Sequence, residues 1–184
     1  MNDQKKLAVD VLRLKPDSRV MDVGTGTGAI LPYLAQRLDT GSVLGVDFSE
    51  AMVARANRRI RAAGISSKAR AEVADCTALP YPDSSFDAAL ATFAFTSFPE
   101  PEKALREVFR VLKPGARFSV LDTGRPPEGR QRLRYRYLKA VMWQAGYTDI
   151  SLDVPALLRK AGFRVVKQQG FSGSLAYICL CVRD

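Results

Sequence analysis

Short β-branched runs alternate with helix-period stripes along most of this 184-residue sequence, and few folds accept that rhythm. The runs are Arg19–Val23, Ser42–Val46, Ala69–Ala74, Phe86–Ala91 and Arg117–Leu121. Between them lie stripes spaced for one helix face. Ile30, Leu31, Leu34, Ala35 and Leu38 make the first. Met52, Val53, Ala56 and Ile60 make the second, opened by Ser49 and Glu50. Pro99–Leu112 is the third, stopped by Lys113-Pro114-Gly115. Repeated βα units require a parallel sheet with helices on both faces and right-handed crossovers.

The last third departs from this rhythm. A basic aromatic helix is expected over 130–145, and a helix over 151–161 with Gly162 past its end. Two more strands, 163–168 and 174–182, are separated by a short glycine-containing turn, which forces an antiparallel hairpin at the sheet edge. The expectation is an α/β fold: a doubly wound, Rossmann-like, mostly parallel seven-stranded sheet whose last strand is antiparallel. Residues 1–184 read as a single domain with a short basic cap segment at about 125–150.

The first strand runs into Asp22-Val23-Gly24-Thr25-Gly26-Thr27-Gly28-Ala29. Glycine lets the backbone approach a ligand closely, and the helix that follows offers free N–H groups. Three glycines at alternate positions exceed what a tight turn needs. Gly24, Gly26 and Ala29 also satisfy a loose dinucleotide pattern. Against a nicotinamide cofactor, Asp22 would repel a pyrophosphate, and the helix opening has no Arg or Lys. A carboxylate there suits an amine-bearing or cationic ligand instead.

Two further acids follow strand ends. Asp47 lies 19 residues beyond Gly28 and can accept from both hydroxyls of a ribose, or cap the helix near Ser49. Phe48 beside it can pack on a purine face. Asp75 with Cys76 can read an adenine edge through a carboxylate and a backbone N–H, or close an Asx-turn.

Composition removes other classes. The chain has no histidine, so His-ligated metals, Ser-His-Asp triads and imidazole bases are excluded, and no metal site is expected. Three cysteines make no secreted disulfide framework. Cys179 and Cys181 alternate along the last strand and read as core. The N-terminus lacks an apolar signal region and the longest weakly polar stretch is too short to span a bilayer, so a cytoplasmic location is expected. The net charge of +9 favours anionic partners. Six of the cations, against one acid, lie between Arg125 and Lys139. That segment can cover the sheet, rest on an anionic membrane, or track RNA phosphates with its tyrosines.

Five segments together resemble the class I S-adenosylmethionine-dependent methyltransferases: Val20–Gly28, Gly45–Met52, Ala74–Asp83, Ser85-Phe86-Asp87 and Ala104–Gly115. Within that group the chain is most similar to the ubiquinone/menaquinone biosynthesis C-methyltransferases, through ALPYPDSSFD and ALREVFRVLKPG. The resemblance implies S-adenosylmethionine as cofactor and S-adenosylhomocysteine as product. It implies that Asp22, Gly24, Thr25, Gly26 and Gly28 line the methionine and sulfonium side. Asp47 would hold the ribose, Phe48 and Met52 would touch the adenine, and Asp75 and Cys76 would read its edge. Phe93 would lie near the transferring methyl. Where those relatives carry an Arg-Asn pair after strand four, this chain has Phe95, Thr96, Ser97 and Phe98, which places Phe95, Thr96 and Ser97 on the acceptor side.

Methyl transfer from an activated donor needs alignment and exclusion of water more than acid-base machinery, so the missing histidine is no handicap. A phenolic acceptor needs its anion favoured, and Asp122 and Arg125 are the candidates for that role. The expected partner is a small quinone-like or lipid-like acceptor, with peripheral contact to an anionic membrane. RNA is the second choice, through the basic 125–139 face, and a cofactor-binding module that needs a partner for activity is a further alternative; a homodimer is compatible with each.

Overall fold

The computed structural model describes residues 3–124, 152–171 and 174–184. The expected Arg130–Ala145 helix, the basic cap segment and Arg125 lie outside them. Helix α1 spans Asp3–Asp10, β1 Arg19–Val23, α2 Leu31–Ala35, β2 Ser42–Asp47 and α3 Glu50–Ala62. Then come β3 (Ala69–Val73), β4 (Phe86–Thr92), a 3₁₀ turn (Phe95–Ser97), α4 (Pro101–Val111) and β5 (Leu112–Thr123). Helix α5 (Val154–Lys160), β6 (Phe163–Gly170) and β7 (Ala176–Arg183) complete the described chain.

The seven strands form one sheet in the order β3-β2-β1-β4-β5-β7-β6. Neighbours from β3 through β5 are parallel. Strand β7 runs antiparallel between β5 and β6, as the short hairpin turn requires. Helices cover both faces. On one, α1, α2 and α3 bury Val9, Leu31, Leu34, Val53, Ala56 and Ile60 against the strands. On the other, α4 and α5 bury Leu105, Val108, Val111, Val154 and Leu158 with Phe95, Phe118 and Phe163. The three stripes read from the sequence are therefore core faces, which drives the assembly by removing apolar area from water.

Local signals set the element ends. The Ser49 hydroxyl accepts from the Met52 N–H (3.4 Å) to cap α3, and Asp153 accepts from the Ala156 N–H (3.0 Å) to cap α5. Two boundaries differ from expectation. The third helix is expected to reach Leu112 with Lys113-Pro114-Gly115 as its stop and the next strand from Arg117, but β5 already begins at Leu112, which pairs with Phe86 of β4 across a bulge. Helix α5 starts at Val154 rather than 151, where Asp153 supplies the cap and Pro155 the fixed first turn.

The chain winds from β1 outward to β2 and β3, then crosses to β4 on the other side of β1. The carboxyl ends of β1 and β4 flank that switch of direction, where an open α/β sheet leaves a crevice.

Candidate active site

A cavity of about 510 Å³ occupies the crevice, lined by residues that follow β1, β2, β3 and β4. Gly24 and Gly26 form one wall. Both have positive φ, +67° and +52°, which glycine adopts without strain. At Gly24 a Cβ would stand 2.7 Å from the Ala94 Cβ, so the first loop can close against the turn after β4 only with glycine there. At Gly26 nothing lies within 4 Å of that position, leaving the backbone open to a ligand.

Two carboxylates hold this loop. Asp22 is 1% exposed, and its Oδ2 accepts from the Thr25 hydroxyl at 2.6 Å. Its Oδ1 is buried without a hydrogen-bond partner. Burial pushes its carboxyl up to about 7, against the opposing Thr25 bond and the charge of Lys5 on α1. Asp47, at the end of β2, accepts from the Gly26 N–H (2.8 Å) and the Ser49 N–H (3.0 Å). Thr25 fits over β2 because Gly45 has no side chain; a Cβ there would stand 2.7 Å from its hydroxyl.

On the far wall, Asp75 Oδ1 accepts from the Thr77 N–H and hydroxyl, both at 2.8 Å, an Asx-turn that keeps the carboxyl below its usual range. Burial pushes the neighbouring Cys76 thiol up to about 12, so it stays protonated near neutral pH. Apolar cover comes from Phe48, Met52, Phe93, Ala94, Phe98 and Pro99. Phe48 is 77% exposed and Phe93 38%. Phe93 holds a left-handed φ of +56°, costly outside glycine, secured by its N–H to the Leu121 carbonyl at 2.7 Å.

Of the residues singled out in the sequence, Gly24, Gly26, Asp47, Phe48, Met52, Asp75, Cys76, Phe93 and Ser97 meet at this cavity. Asp22, Thr25 and Gly28 stand behind its wall. Gly28 (φ +69°) packs where a Cβ would come within 2.9 Å of the Ala56 Cβ, so it serves the packing of the loop on α3.

Phe95, Thr96 and Asp122 depart from their expected places. Phe95 is fully buried, with its ring 5.2 Å from Phe98 and 6.1 Å from Phe118. Thr96 is buried too, and its hydroxyl donates to Asp122 at 2.8 Å. Asp122 is buried and also accepts from the N–H groups of Phe95 (2.9 Å), Thr96 (3.4 Å) and Thr123 (2.8 Å). Its acceptor sites are used in holding the 3₁₀ turn, so its geometry is that of a loop anchor. Sequence reading missed that turn, and also Ala94, Phe98, Pro99, Ser49 and Thr77 on the wall. Ala94, Phe98 and Pro99 stand within a few residues of Phe93; proximity to it was the available signal.

The chain is also similar to known proteins. The methyltransferase-domain family pattern matches residues 21–120, more than half of the chain. Demethylmenaquinone methyltransferase of Thermus thermophilus is 41% identical over 139 residues, covering 75% of this chain and 62% of that protein. The ubiquinone/menaquinone biosynthesis C-methyltransferase of Geotalea daltonii is 32% identical over 123 residues, covering 66% and 52%. The chain thus spans roughly half to three-fifths of these curated relatives. A crystal structure of a SAM-dependent methyltransferase from Aquifex aeolicus superposes with a TM-score of 0.78 at 26% identity, covering 98% of this chain and 89% of that one. The chain belongs to the methyltransferase-domain family.

Proposed function

We propose that this protein transfers a methyl group from S-adenosylmethionine to a small, apolar, quinone-like acceptor. The observation that carries the reading is the crevice cavity, which brings the glycine backbone of Gly24 and Gly26 and the carboxylates of Asp47 and Asp75 together with the exposed rings of Phe48 and Phe93. The fit to the cofactor rests on Asp22 and Gly26. The unpartnered Asp22 Oδ1 sets an acceptor and its charge behind the glycine loop, where a cationic group across the loop is favoured, and the space beside Gly26 admits a ligand against bare backbone. Asp47 and Asp75 offer carboxylates for hydroxyl and amino groups, and Phe48 and Met52 a surface for a flat base.

When bound, the cofactor supplies an electrophilic methyl on a sulfonium. The chain's own residues bind, orient and keep water out. Phe93, Ala94 and Phe98 make the apolar side on which an acceptor ring can lie. Asp122 acts indirectly, anchoring the 3₁₀ turn that carries Ser97 to the cavity. Arg125 follows Gly124 directly and is the side chain we assign to steadying a phenolate. The quinone class is supported by the names of the curated relatives and by the apolar wall.

The test uses purified protein, methyl-labelled S-adenosylmethionine and a membrane-containing lysate. The expected result is label extracted into organic solvent. Label that stays aqueous until ribonuclease treatment overturns the acceptor class. Binding of S-adenosylhomocysteine without any transfer overturns the activity and leaves a cofactor-binding unit.

A further inference from the structure

A second cleft, of about 500 Å³, lies at the opposite end of the sheet, where β1, β4 and β5 begin. One wall is the loop from Leu12 to Ser18; the other is the Lys113–Arg117 stretch of β5. The two walls present four cations, Arg13, Lys15, Lys113 and Arg117, against two carboxylates, Asp17 and Asp87, a net of +2. Asp87 is already engaged, by Lys113 at 2.6 Å and the Arg19 N–H at 2.8 Å. Among the described residues Arg13, Lys15 and Arg117 form no ion pair within 4.0 Å. The Arg117 guanidinium is half-buried and fixed by one bond to the Val11 carbonyl (3.2 Å), which leaves its other N–H groups for a ligand.

The backbone turns sharply to build this wall. Arg13 has φ +49°, a left-handed conformation that costs a β-carbon residue about 1–2 kcal/mol. Directly after it, the chain bends back, with the Ser18 hydroxyl accepting from the Lys15 N–H (3.0 Å), so that Lys15 joins Arg13 opposite Lys113. The left-handed turn ends helix α1, the Arg13 N–H donating to the Asp10 carbonyl (3.2 Å), and it sets Arg13 on the cleft.

We propose that this cleft is a second binding site, for a ligand bearing a phosphate or diphosphate group, separate from the methyl-transfer cavity. Guanidinium and ammonium groups on both walls of one cleft match the several acceptor oxygens of such an anion. The group can belong to a free phosphorylated molecule or to the headgroup of an anionic lipid.

The test titrates full-length protein, saturated with S-adenosylhomocysteine to fill the other cavity, with inorganic pyrophosphate by calorimetry. In parallel it is mixed with phosphatidylcholine vesicles with and without phosphatidylglycerol. Arg13→Glu/Lys15→Glu is compared with Arg58→Glu/Arg61→Glu, an equal charge reversal on the exposed face of α3. The expected result is binding of at least one probe, weakened about tenfold or more by the first variant and hardly by the second. Pyrophosphate binding identifies a soluble ligand; binding to phosphatidylglycerol vesicles alone identifies a headgroup. No binding of either probe, or equal loss in both variants, overturns the site. Unchanged binding of S-adenosylhomocysteine by both variants shows that they fold.

Discussion

The two ends of the sheet carry opposite chemistry. At the carboxyl ends of the strands, Asp22, Asp47 and Asp75 gather around a glycine backbone. At the amino ends, Arg13, Lys15, Lys113 and Arg117 surround a second cleft. The acids are woven into the fold: Asp47 holds the Gly26 N–H, Asp22 holds Thr25, and Asp75 closes its own turn. Among the described residues, Arg117 is the cation of the other end with a backbone acceptor, and Lys113 pairs with a surface partner. A charge that also builds its loop cannot be removed without moving the site. A charge that only lines a cleft can be. The two ends should therefore respond differently to the same kind of substitution.

The largest effect is expected at Asp47. Asp47→Ala frees the N–H groups of Gly26 and Ser49 together. The loop loses two bonds to a charged acceptor, about 1.5–3 kcal/mol each, and the cavity loses a carboxylate; with the loop no longer held in place, affinity for S-adenosylhomocysteine should fall about 100-fold. Asp47→Asn keeps one acceptor oxygen and should fall between. Calorimetry checks both. Wild-type affinity in Asp47→Ala would mean that the acids do not define the ligand end of the sheet.

The fold and the acidic end of this contrast are legible in the amino-acid sequence. Alternating runs and stripes gave the sheet and its two helical layers, because burial on both faces leaves a period that survives in the sequence. The glycine loop and the acids at strand ends were equally plain, since each works within a few residues of its neighbours. What escaped was held by distant contacts. The 3₁₀ turn at Phe95–Ser97 has no strong local pattern, and its anchor Asp122 stands 27 residues from Phe95. Helix α1 is mostly polar, and only Ala8 and Val9 within it are buried. The ALPYPDSSFD and ALREVFRVLKPG segments hold each other: Arg110 donates to the Leu79 and Tyr81 carbonyls and to Asp83, while Glu107 accepts from the Leu79 N–H. Those motifs, informative as a family signature, are here structural struts. The cation cleft draws on residues about 100 positions apart, near Arg13 and near Lys113, which no local window joins.

A second, smaller effect separates the ends by pH. Asp22 is pushed up to about 7 from 3.8 by burial. Between those values the folded protein holds a proton that the unfolded chain has released. This contribution to stability is full below about pH 4 and is lost as pH rises through about 7. Asp22→Asn removes it, so the Tm of wild type, measured against that variant without ligand, should decline from pH 4 to pH 8. A cationic ligand favours the charged carboxylate, so binding of S-adenosylmethionine at pH 6 should release a proton in wild type and not in Asp22→Asn. The heat of binding in buffers of different ionisation enthalpy reads that proton. A wild-type proton count equal to the variant's would show that Asp22 does not meet the ligand's charge.

The smallest effect belongs to the amino end and tests the contrast from the other side. Lys113 pairs with Asp87 at 2.6 Å, but the two side chains are 49% and 33% exposed. An ion pair so open to water contributes about 0–1 kcal/mol, since solvent screens the attraction and two mobile side chains must be ordered to make it. Asp87 keeps its second bond, from the Arg19 N–H, when the lysine is gone. Lys113→Ala should therefore shift the denaturant midpoint by no more than about 1 kcal/mol in equivalent stability and leave affinity for S-adenosylhomocysteine unchanged. A loss of several kcal/mol would mean that this cation is built into the fold as the acids are. The amino end would then be a structural feature of the sheet rather than a cleft whose charges stand ready for a ligand.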